Sequence, residues 1–326
     1  MLHLEEQIFN THTPETFADL SLRIFEYQYH HNQVYQDYCG YLSKSPDNVE
    51  KWDEIPFLPI GFFKTHEVRT GSFDPEIIFH SSTTTGMKPS RHLVKDLRLY
   101  RKSFTEGFRF FYGDPAQYVI LALLPHYLER DNSSLVFMVH ELMQSSGQPE
   151  NGFYLYDYPA LYQTLQHLKN QRKKVILFGV TFALLDFAEL YRIAFPGLII
   201  METGGMKGRG KELVKEEAHD RIRRAFGVDA VHSEYGMCEL LSQAYSYGNN
   251  VFLTPPWMKV ILRDEKDPLF YSEHLETGVV NIIDLANIYS CSFIASDDLG
   301  RKRQEGTEIL GRTDQAEIRG CNLLVL

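Results

Sequence analysis

The sequence predicts an α/β protein with a mostly parallel sheet, followed by a smaller β-rich subdomain. From about residue 93 to residue 250, short β-branched runs alternate with helical stretches, which is typical of βα units. After residue 250, short strands follow one another across Pro-Pro, Asp and Gly turns, with no long helix between them. The length of 326 residues and an apolar content of 44% suit such a large globular body. We expect an α/β body at residues 1–250, a β-rich subdomain at 251–310 and a hinge-like tail at 311–326.

The N-terminal part is predicted to contain one long helix and one extended segment. Apolar residues recur every three or four positions within residues 14–44, which places them on one face of a helix. These residues are Phe17, Leu20, Ile24 and Tyr27. Two prolines between Trp52 and Ile60 exclude a helix and predict an extended segment there.

The central part is predicted to alternate helices and strands. Helices are expected at Lys95–Phe111, Ser133–Ser145, Tyr158–Gln171, Phe182–Ala194 and Lys211–Phe226. Strands are expected at Tyr118–Leu124, Val175–Gly179, Leu198–Met201 and Val228–His232. Open parallel sheets bind ligands outside the carboxyl ends of their strands, so we expect the functional site at that edge.

The last part is predicted to be antiparallel. Strands are expected at Val251–Leu253, Met258–Leu262, Val279–Ile283 and Ser290–Ile294. The charged run Asp264–Pro268 is predicted to be a solvated turn.

Charge and composition exclude several classes of protein. The chain carries 33 basic and 43 acidic residues, a net charge of −10 that disfavours binding to a nucleic-acid duplex. No apolar run reaches the roughly 18 residues that a bilayer-spanning helix needs, and the N-terminus does not resemble a signal peptide. Four cysteines in a chain of this length argue against a disulfide scaffold. We therefore predict a cytoplasmic enzyme.

The segment Ser81–Pro89 is the most unusual one. It holds five consecutive hydroxyl residues followed by Gly86, and Lys88 adds a positive charge. Hydroxyl groups and closely spaced backbone N–H groups can bind anionic oxygens, so the segment predicts a phosphate site. It does not match the Walker pattern, and by composition alone an exposed loop without a ligand is an equal alternative.

Two further clusters contain residues suited to a nucleotide. Tyr235-Gly-Met-Cys-Glu239 combines an aromatic face, a tight turn and a carboxylate suited to Mg²⁺ bound together with phosphates. The C-terminal cluster contains Ser296-Asp-Asp298 and Gly311-Arg-Thr-Asp314, in which a carboxylate and an arginine can hold a ribose. Taken singly, the C-terminal cluster is better explained as surface turns with ion pairs. The run Gly208-Arg-Gly210 lacks the third glycine of a dinucleotide fingerprint, which excludes a Rossmann interpretation.

These clusters, in this order, resemble the motifs of the adenylate-forming superfamily, and within it the acyl-protein synthetases of the bacterial luminescence system. The Ser81–Pro89 segment resembles the superfamily's Ser/Thr/Gly-rich phosphate loop. Tyr235–Glu239 is similar to the Y-G-x-T-E motif with Cys238 in place of threonine, and Ser296-Asp-Asp298 to T-G-D with Asp297 in place of glycine. Gly311–Asp314 resembles the G-R-x-D hinge motif. The stretches at 124–134 and 277–286 resemble ones particular to the acyl-protein synthetases.

The resemblance implies a reaction and assigns residues to it. A fatty or similar carboxylic acid would react with Mg·ATP to give an acyl-adenylate, and a cysteine of this chain or of a partner would then take the acyl group. The nucleotide-binding residues implied are Ser82, Thr83, Thr84, Thr85, Gly86, Lys88, Gly205, Tyr235, Gly236, Asp298 and Arg312. Glu239 would hold the Mg²⁺, and Cys321, Lys88 and Arg312 would be catalytic.

The resemblance also implies where this chain departs from the superfamily. The chain ends soon after Asp314, so the mobile C-terminal cap domain and its lysine would be largely absent. Cys321 stands where the acyl-protein synthetases carry their acyl-accepting cysteine. An acyl-CoA or acyl-carrier ligase is one alternative. Another is a non-catalytic nucleotide- or acyl-binding subunit of an acyl-reductase complex, and an acyl-reductase and an acyltransferase are the partner proteins implied.

Overall fold

A computed structural model describes residues 2–81, 88–124, 132–204 and 215–312. Its contacts divide the chain into two compact units. The first unit comprises Met1–Ser103, Met237–Gln243 and Val251–Leu326. The second comprises Phe104–Gly236 and Ala244–Asn250. Both units are discontinuous in sequence, whereas the division expected at residues 250 and 310 follows the chain order and stays a prediction.

The α-helices of the described residues are, in chain order, Leu2–Ile8 (α1), Pro14–His31 (α2), Gln33–Tyr41 (α3), Phe62–Thr65 (α4), Leu97–Tyr112 (α5), Ser134–Ser146 (α6), Tyr158–Asn170 (α7), Thr181–Leu190 (α8) and Lys215–Phe226 (α9). Short 3₁₀ helices lie at Trp52–Glu54, Pro115–Gln117 and Leu285–Asn287. None of the helices in the described ranges combines the length and the hydropathy that crossing a membrane requires.

The strands of the same ranges are Leu58–Pro59 (β1), Ile77–His80 (β2), Arg91–Val94 (β3), Val119–Leu123 (β4), Gly152–Phe153 (β5), Val175–Gly179 (β6), Leu198–Thr203 (β7), Val231–Tyr235 (β8), Ala244–Ser246 (β9), Val251–Phe252 (β10), Met258–Arg263 (β11), Tyr271–Ser272 (β12), Thr277–Asp284 (β13), Phe293–Lys302 (β14) and Thr307–Arg312 (β15).

The first unit is built on a mainly antiparallel sheet. Its strand order is β10-β15-β14-β13-β11-β12, and β1 pairs in parallel with β14. Strand β13 is buried from Gly278 to Asp284, and it pairs with β11 on one side and β14 on the other. Gln28 of α2 donates from Nε2 to the carbonyls of Asn287 (3.1 Å) and Ile288 (3.0 Å), which anchors the helix to the turn after β13.

The second unit is built on a mainly parallel sheet. Its strand order is β5-β4-β6-β7-β8-β9, and only the β8–β9 pair is antiparallel. Strands β4 (VILAL) and β6 (VILFG) are buried at every position, as expected for strands that helices cover on both faces. Gly179 ends β6 where a Cβ atom would lie 2.6 Å from the side chain of Leu184, so glycine permits close packing of α8. The predicted parallel sheet and antiparallel subdomain are both present.

The N-terminal helix expected at residues 14–44 is wrong in one respect, since it is divided at Asn32. The Asn32 side chain accepts from the Tyr35 N–H at 3.1 Å and caps α3, and its Nδ2 donates to the Ser290 carbonyl at 3.0 Å. The extended segment after Trp52 is correct from Ile55 onward, but Trp52–Glu54 forms a 3₁₀ turn.

Three further boundaries are shifted by tertiary contacts. Helix α8 ends at Leu190 rather than residue 194, because the following chain pairs its N–H groups with carbonyls at the end of α9. Strand β8 begins at Val231 rather than residue 228, where pairing with β7 starts. Strand β14 begins at Phe293, because the Ser292 N–H donates to the Gln28 side chain instead of the sheet. The short strands β3, β5, β9, β12 and β15 were missed by the sequence patterns.

Candidate active site

A hairpin holds the two ends of the hydroxyl-rich segment. Strands β2 and β3 pair from Ile77 opposite Val94 to His80 opposite Arg91. The Ser90 N–H donates to Ser81 Oγ at 2.9 Å, and the Ser81 N–H donates to the Ser90 carbonyl at 3.2 Å. Ser81 and Ser90 therefore bring both ends of the predicted phosphate loop together. Lys88 is exposed beside them.

Glu239 is a buried carboxylate next to the end of this hairpin. It is 4% exposed, and the Ser90 hydroxyl donates to its carboxylate. Burial raises the pKa of Glu239 above its usual 4.5, and the hydrogen bond from Ser90 and the charges of Arg312 and Lys64 oppose that shift. The end of the hydroxyl-rich hairpin thus contacts the predicted metal ligand, and the charges of two cationic side chains act on the same buried carboxyl group.

A buried histidine holds the backbone of the same segment. His92 of β3 is 1% exposed; its Nδ1 lies 2.7 Å from the Cys238 carbonyl oxygen and its Nε2 lies 3.0 Å from Asn287 Oδ1. Asn287 donates from Nδ2 to the carbonyls of Glu239 (2.7 Å) and Cys291 (2.9 Å). Burial lowers the pKa of His92 to about 4, so the ring is neutral at pH 7 and donates one N–H. This network determines where the Glu239 backbone lies.

The predicted ribose pair lies in neighbouring strands. Asp298 of β14 and Arg312 of β15 are partners in the antiparallel ladder, and Arg312 Nε lies 3.9 Å from Asp298 Oδ1. Half of the Arg312 side chain is exposed, whereas Asp298 is largely covered. The Asp298 N–H donates to Ser296 Oγ at 3.2 Å, which orders the motif around it. Arg312 therefore interacts with both Asp298 and Glu239.

Tyr235 and Gly236 belong to the second unit. Tyr235 is the last residue of β8, opposite Ala244 of β9, and its side chain is partly exposed at the carboxyl edge of the sheet. Gly236 is exposed directly after it. This is the edge at which the parallel sheet was expected to bind a ligand.

A buried ionic network lies at the same edge of the second unit. Glu202 of β7 is 4% exposed and accepts from Thr181 Oγ1 at 2.5 Å and from Ser233 Oγ at 3.0 Å. Its Oε2 also lies 3.4 Å from Lys215 Nζ and 3.3 Å from His219 Nε2. Burial opposes ionisation, but the Lys215 charge and the hydrogen bonds from His219 and Thr181 outweigh it and lower the pKa of Glu202 to about 2. The network joins β7 and β8 to the first turns of α8 and α9.

We expect Glu202→Gln to destabilise the protein by roughly 3 kcal/mol at pH 7, because the substitution removes the charge that Lys215 and the hydrogen bonds from His219 and Thr181 stabilise. The folded pKa is lower than the unfolded one, so this stabilisation is present above pH 4.5 and declines as the pH falls toward 2. Urea unfolding of both proteins at pH 7 and at about pH 3 measures the difference. An equal difference at both pH values would contradict the ionic explanation. Glu217→Gln, which removes an exposed i,i+4 pair with Arg221, is the control on the same helix.

Other predicted site residues lie outside the described residues. They are Ser82, Thr83, Thr84, Thr85, Gly86, Gly205 and Cys321. The assignments of these residues and of the described ones remain predictions. Among the described residues, no group of three or more His, Cys, Asp or Glu side chains is arranged to hold a metal ion by itself.

Sequence reasoning missed four residues of this region. Lys64, Ser90, His92 and Asn287 carry no motif of their own, and each acts through a contact between distant parts of the chain. Ser90 had the only accessible signal, because it follows the predicted phosphate loop by one residue.

The described cysteines are unsuited to nucleophilic chemistry. Cys39, Cys238 and Cys291 are free and buried. Burial raises the pKa of the Cys39 thiol to about 12 and raises the pKa values of the Cys238 and Cys291 thiols as well. Cys238 and Cys291 are part of the buried core.

Comparison with protein families identifies the chain. Residues 10–326 match the family model described as LuxE, acyl-protein synthetase. The chain belongs to the LuxE acyl-protein synthetase family. The predicted family and the prediction that the chain is a ligase are confirmed. This LuxE-family chain is 24% identical over 330 residues to the long-chain-fatty-acid–luciferin-component ligase of Vibrio harveyi, with 92% of this chain and 84% of that protein covered.

Solved structures show the same fold. A 2-hydroxyisobutyryl-CoA ligase in an open conformation, in complex with 2-HIB-AMP and CoA, matches with a TM-score of 0.67 and 13% identity over 95% of this chain and 77% of that one. ATP-bound MatB from Rhodopseudomonas palustris matches with a TM-score of 0.55 and 14% identity over 74% of this chain. The match spans about half (49%) of the MatB chain. These similarities confirm the predicted fold class, the α/β body of adenylate-forming enzymes.

Proposed function

We propose that this LuxE-family protein activates a fatty or similar carboxylic acid with Mg·ATP and transfers the acyl group to a cysteine of its own chain or of a partner. One observation carries the proposal. The carboxylate of the Y-G-x-x-E motif, Glu239, accepts a hydrogen bond from Ser90 at the end of the hydroxyl-rich hairpin and is influenced by the charge of Arg312 of the G-R-x-D motif. These three motifs are the ones whose resemblance to the adenylate-forming superfamily predicted nucleotide chemistry.

The charges around Glu239 suit a triphosphate. Lys64 and Arg312 are two cations beside one carboxylate, and the predicted loop residues Thr83, Thr84 and Thr85 belong to the segment that Ser81 and Ser90 close. In acyl-adenylate formation the acid carboxylate attacks the α-phosphate and pyrophosphate leaves, so negative charge accumulates on the departing phosphates. Positioned cations and hydroxyl donors lower the barrier by neutralising that charge.

Mg²⁺ fits this donor set as part of Mg·ATP. It usually keeps several waters and binds through one or two carboxylates together with substrate phosphates. Glu239 supplies one carboxylate. Bound Mg²⁺ would supply charge neutralisation. The chain's own contribution is to hold Glu239 through Ser90, and its backbone through Asn287.

The remaining nucleotide contacts follow from the predicted motifs. Asp298 would accept hydrogen bonds from the ribose hydroxyls, with Arg312 paired to it at 3.9 Å and available to the same sugar or to a phosphate. Tyr235 and Gly205 would border the adenine. The name of the Vibrio harveyi relative supports a long-chain fatty acid as the substrate class.

Cys321 is our candidate for the acyl acceptor. The described cysteines are buried with raised thiol pKa values, so they are poor thiolates at neutral pH. In this proposal a cysteine outside the described residues or in a partner attacks the mixed anhydride, with AMP as the leaving group. An acyl-reductase that consumes the thioester and an acyltransferase that supplies the acid are the partner classes that this chemistry suits.

Labelled pyrophosphate exchange into ATP tests the first half-reaction. We expect exchange that depends on Mg²⁺ and on one class of acid in a series from acetate to palmitate. Absence of exchange with every acid would overturn the proposal and favour a non-catalytic binding subunit.

Intact-mass measurement after incubation with Mg·ATP and acid tests the second half-reaction. We expect an acyl adduct that hydroxylamine removes and that is missing from Cys321→Ser. Cys238→Ser is the matched control, because its thiol is buried. If Cys321→Ser forms acyl-CoA as fast as the wild type, the acceptor assignment is wrong and a CoA ligase is favoured.

A further inference from the structure

The two faces of the parallel sheet differ at its carboxyl edge. Successive side chains of a strand point to opposite faces. Glu202 and Ser233 point to one face, where the ionic network satisfies them. Thr203 and Glu234 follow them in the chain and therefore point to the other face. Within the described part of the chain, the Thr203 hydroxyl, which is 1% exposed, has no hydrogen-bond partner.

Thr203 and Glu234 lie side by side. They are partners in the parallel β7–β8 ladder, where neighbouring strands are about 4.8 Å apart. Glu234 is in turn opposite Tyr245 of β9. A hydroxyl, a carboxyl and an aromatic side chain thus form a row across three strands, one residue before Tyr235 on β8.

The same face is otherwise aromatic. Tyr245 is fully buried, and its ring lies 5.2 Å from that of Phe111 and 5.4 Å from that of Tyr112, both on α5. The carboxyl of Glu234 therefore stands at the edge of an apolar wall. Glu234 as a whole residue is partly exposed, whereas Thr203 beside it is buried.

Glu234 is a hydrogen-bond donor in this environment. Burial raises its pKa to about 8, and neither an ion pair nor a hydrogen bond within the described residues stabilises its charged form. At pH 7 the side chain is mostly a neutral acid, which can donate one O–H and accept another hydrogen bond. A plain hydrocarbon chain against this face would leave the polar groups of Thr203 and Glu234 without hydrogen bonds. Leaving buried polar groups unpaired costs free energy, and proteins rarely do so.

We propose that Thr203 and Glu234 form a polar subsite that selects carboxylic acids carrying a hydroxyl or carbonyl group along their chain. The proposal rests on the proposed function, because it places the acid against the sheet face next to Tyr235. Apolar pockets commonly hold a few polar groups that set orientation and specificity in this way. A site that hydrogen-bonds a substrate hydroxyl discriminates strongly against the analogue that lacks it.

The test compares decanoate with the set of monohydroxydecanoates. For the wild type, we expect kcat/KM in pyrophosphate exchange to favour the best hydroxy acid by about tenfold or more, the effect of one satisfied hydrogen bond. Glu234→Leu should remove this preference and raise kcat/KM for decanoate. Glu234→Gln, which still donates and accepts, should keep most of it, and Thr203→Val should reduce it. Glu216→Leu, on the exposed side of α9, is the control for the added leucine.

Calorimetric titration of the same acids without ATP separates this proposal from the proposed function. If no acid supports exchange but the wild type still binds the hydroxy acid more tightly than Glu234→Leu does, the function fails and the subsite stands. Equal kcat/KM or equal binding of the two kinds of acid by the wild type overturns the subsite. The subsite proposal is also overturned if Glu234→Gln changes KM for ATP and leaves the selection between acids unchanged.

Discussion

Glu239→Gln is expected to lower the rate of Mg²⁺-dependent pyrophosphate exchange by about 10²–10³-fold, the range for loss of one charge-stabilising group in an active site. Glutamine keeps the size of the side chain but removes its charge, which is stabilised by the Ser90 hydrogen bond and the charges of Arg312 and Lys64. The substitution takes one negative charge away from the triphosphate position. Binding of metal-free ATP should therefore be equal or tighter, while activation by Mg²⁺ is lost.

The combination of these two results is the informative one. Exchange rates across a range of Mg²⁺ concentrations measure the activation by Mg²⁺. Calorimetric titration of ATP in the presence of a chelator measures the binding of metal-free ATP. Glu305→Gln, in the exposed turn between β14 and β15, is the control for a carboxylate of the same unit. A variant that keeps its Mg²⁺ response within about threefold would show that Glu239 is not the metal ligand.

Asp284→Asn is expected to lower the free energy of unfolding by about 3 kcal/mol, because buried donors lose their acceptor. Asp284 is fully buried, and its Oδ2 accepts from the Leu241 and Ser242 N–H groups at 2.8 and 3.0 Å. Its Oδ1 accepts from Ser242 Oγ at 2.6 Å and from the Ala286 N–H at 3.2 Å. An asparagine amide offers one acceptor oxygen in place of two, so its NH₂ group must face donors.

Urea unfolding measures this effect, and exchange activity should fall with it because Leu241 and Ser242 lie two and three residues after Glu239 in the chain. Asp19→Asn is the control, since its exposed pair with Arg23 is worth less than about 0.5 kcal/mol. An unchanged unfolding midpoint for Asp284→Asn would mean that the turn after Glu239 is held by other contacts.

Much of the fold could be predicted from local patterns. Strands β4 and β6 are continuous apolar runs bounded by turn residues, and they were placed within one residue of their ends. The predictions that failed have a common cause. Asn32 divides the N-terminal helix because it bonds to Ser290, and β14 starts late because Ser292 bonds to Gln28. Both partners are more than 250 residues away in the chain, where no local pattern carries information.

In the candidate site, too, local patterns could be predicted from the sequence, whereas contacts between distant segments could not. The motifs around Tyr235, Asp298 and Gly311 could be recognised from the sequence, because each is defined by residue types at short spacing and the motifs follow one another in a fixed order. Their order also led to the family, which the match over residues 10–326 confirms.

The sequence by itself determined the fold class, the family and the ligase chemistry of this protein, since these depend on residue types at short spacing. Only the tertiary structure showed that Ser90 bonds to Glu239, that the charges of Lys64 and Arg312 act on it, and that His92 and Asn287 hold the backbone at Cys238 and Glu239. At one edge of the parallel sheet, charged and polar partners lower the pKa of Glu202, whereas burial without such partners among the described residues raises the pKa of Glu234. The physical reason is that charge state depends on burial and on partners from distant segments, which the order of residues does not contain.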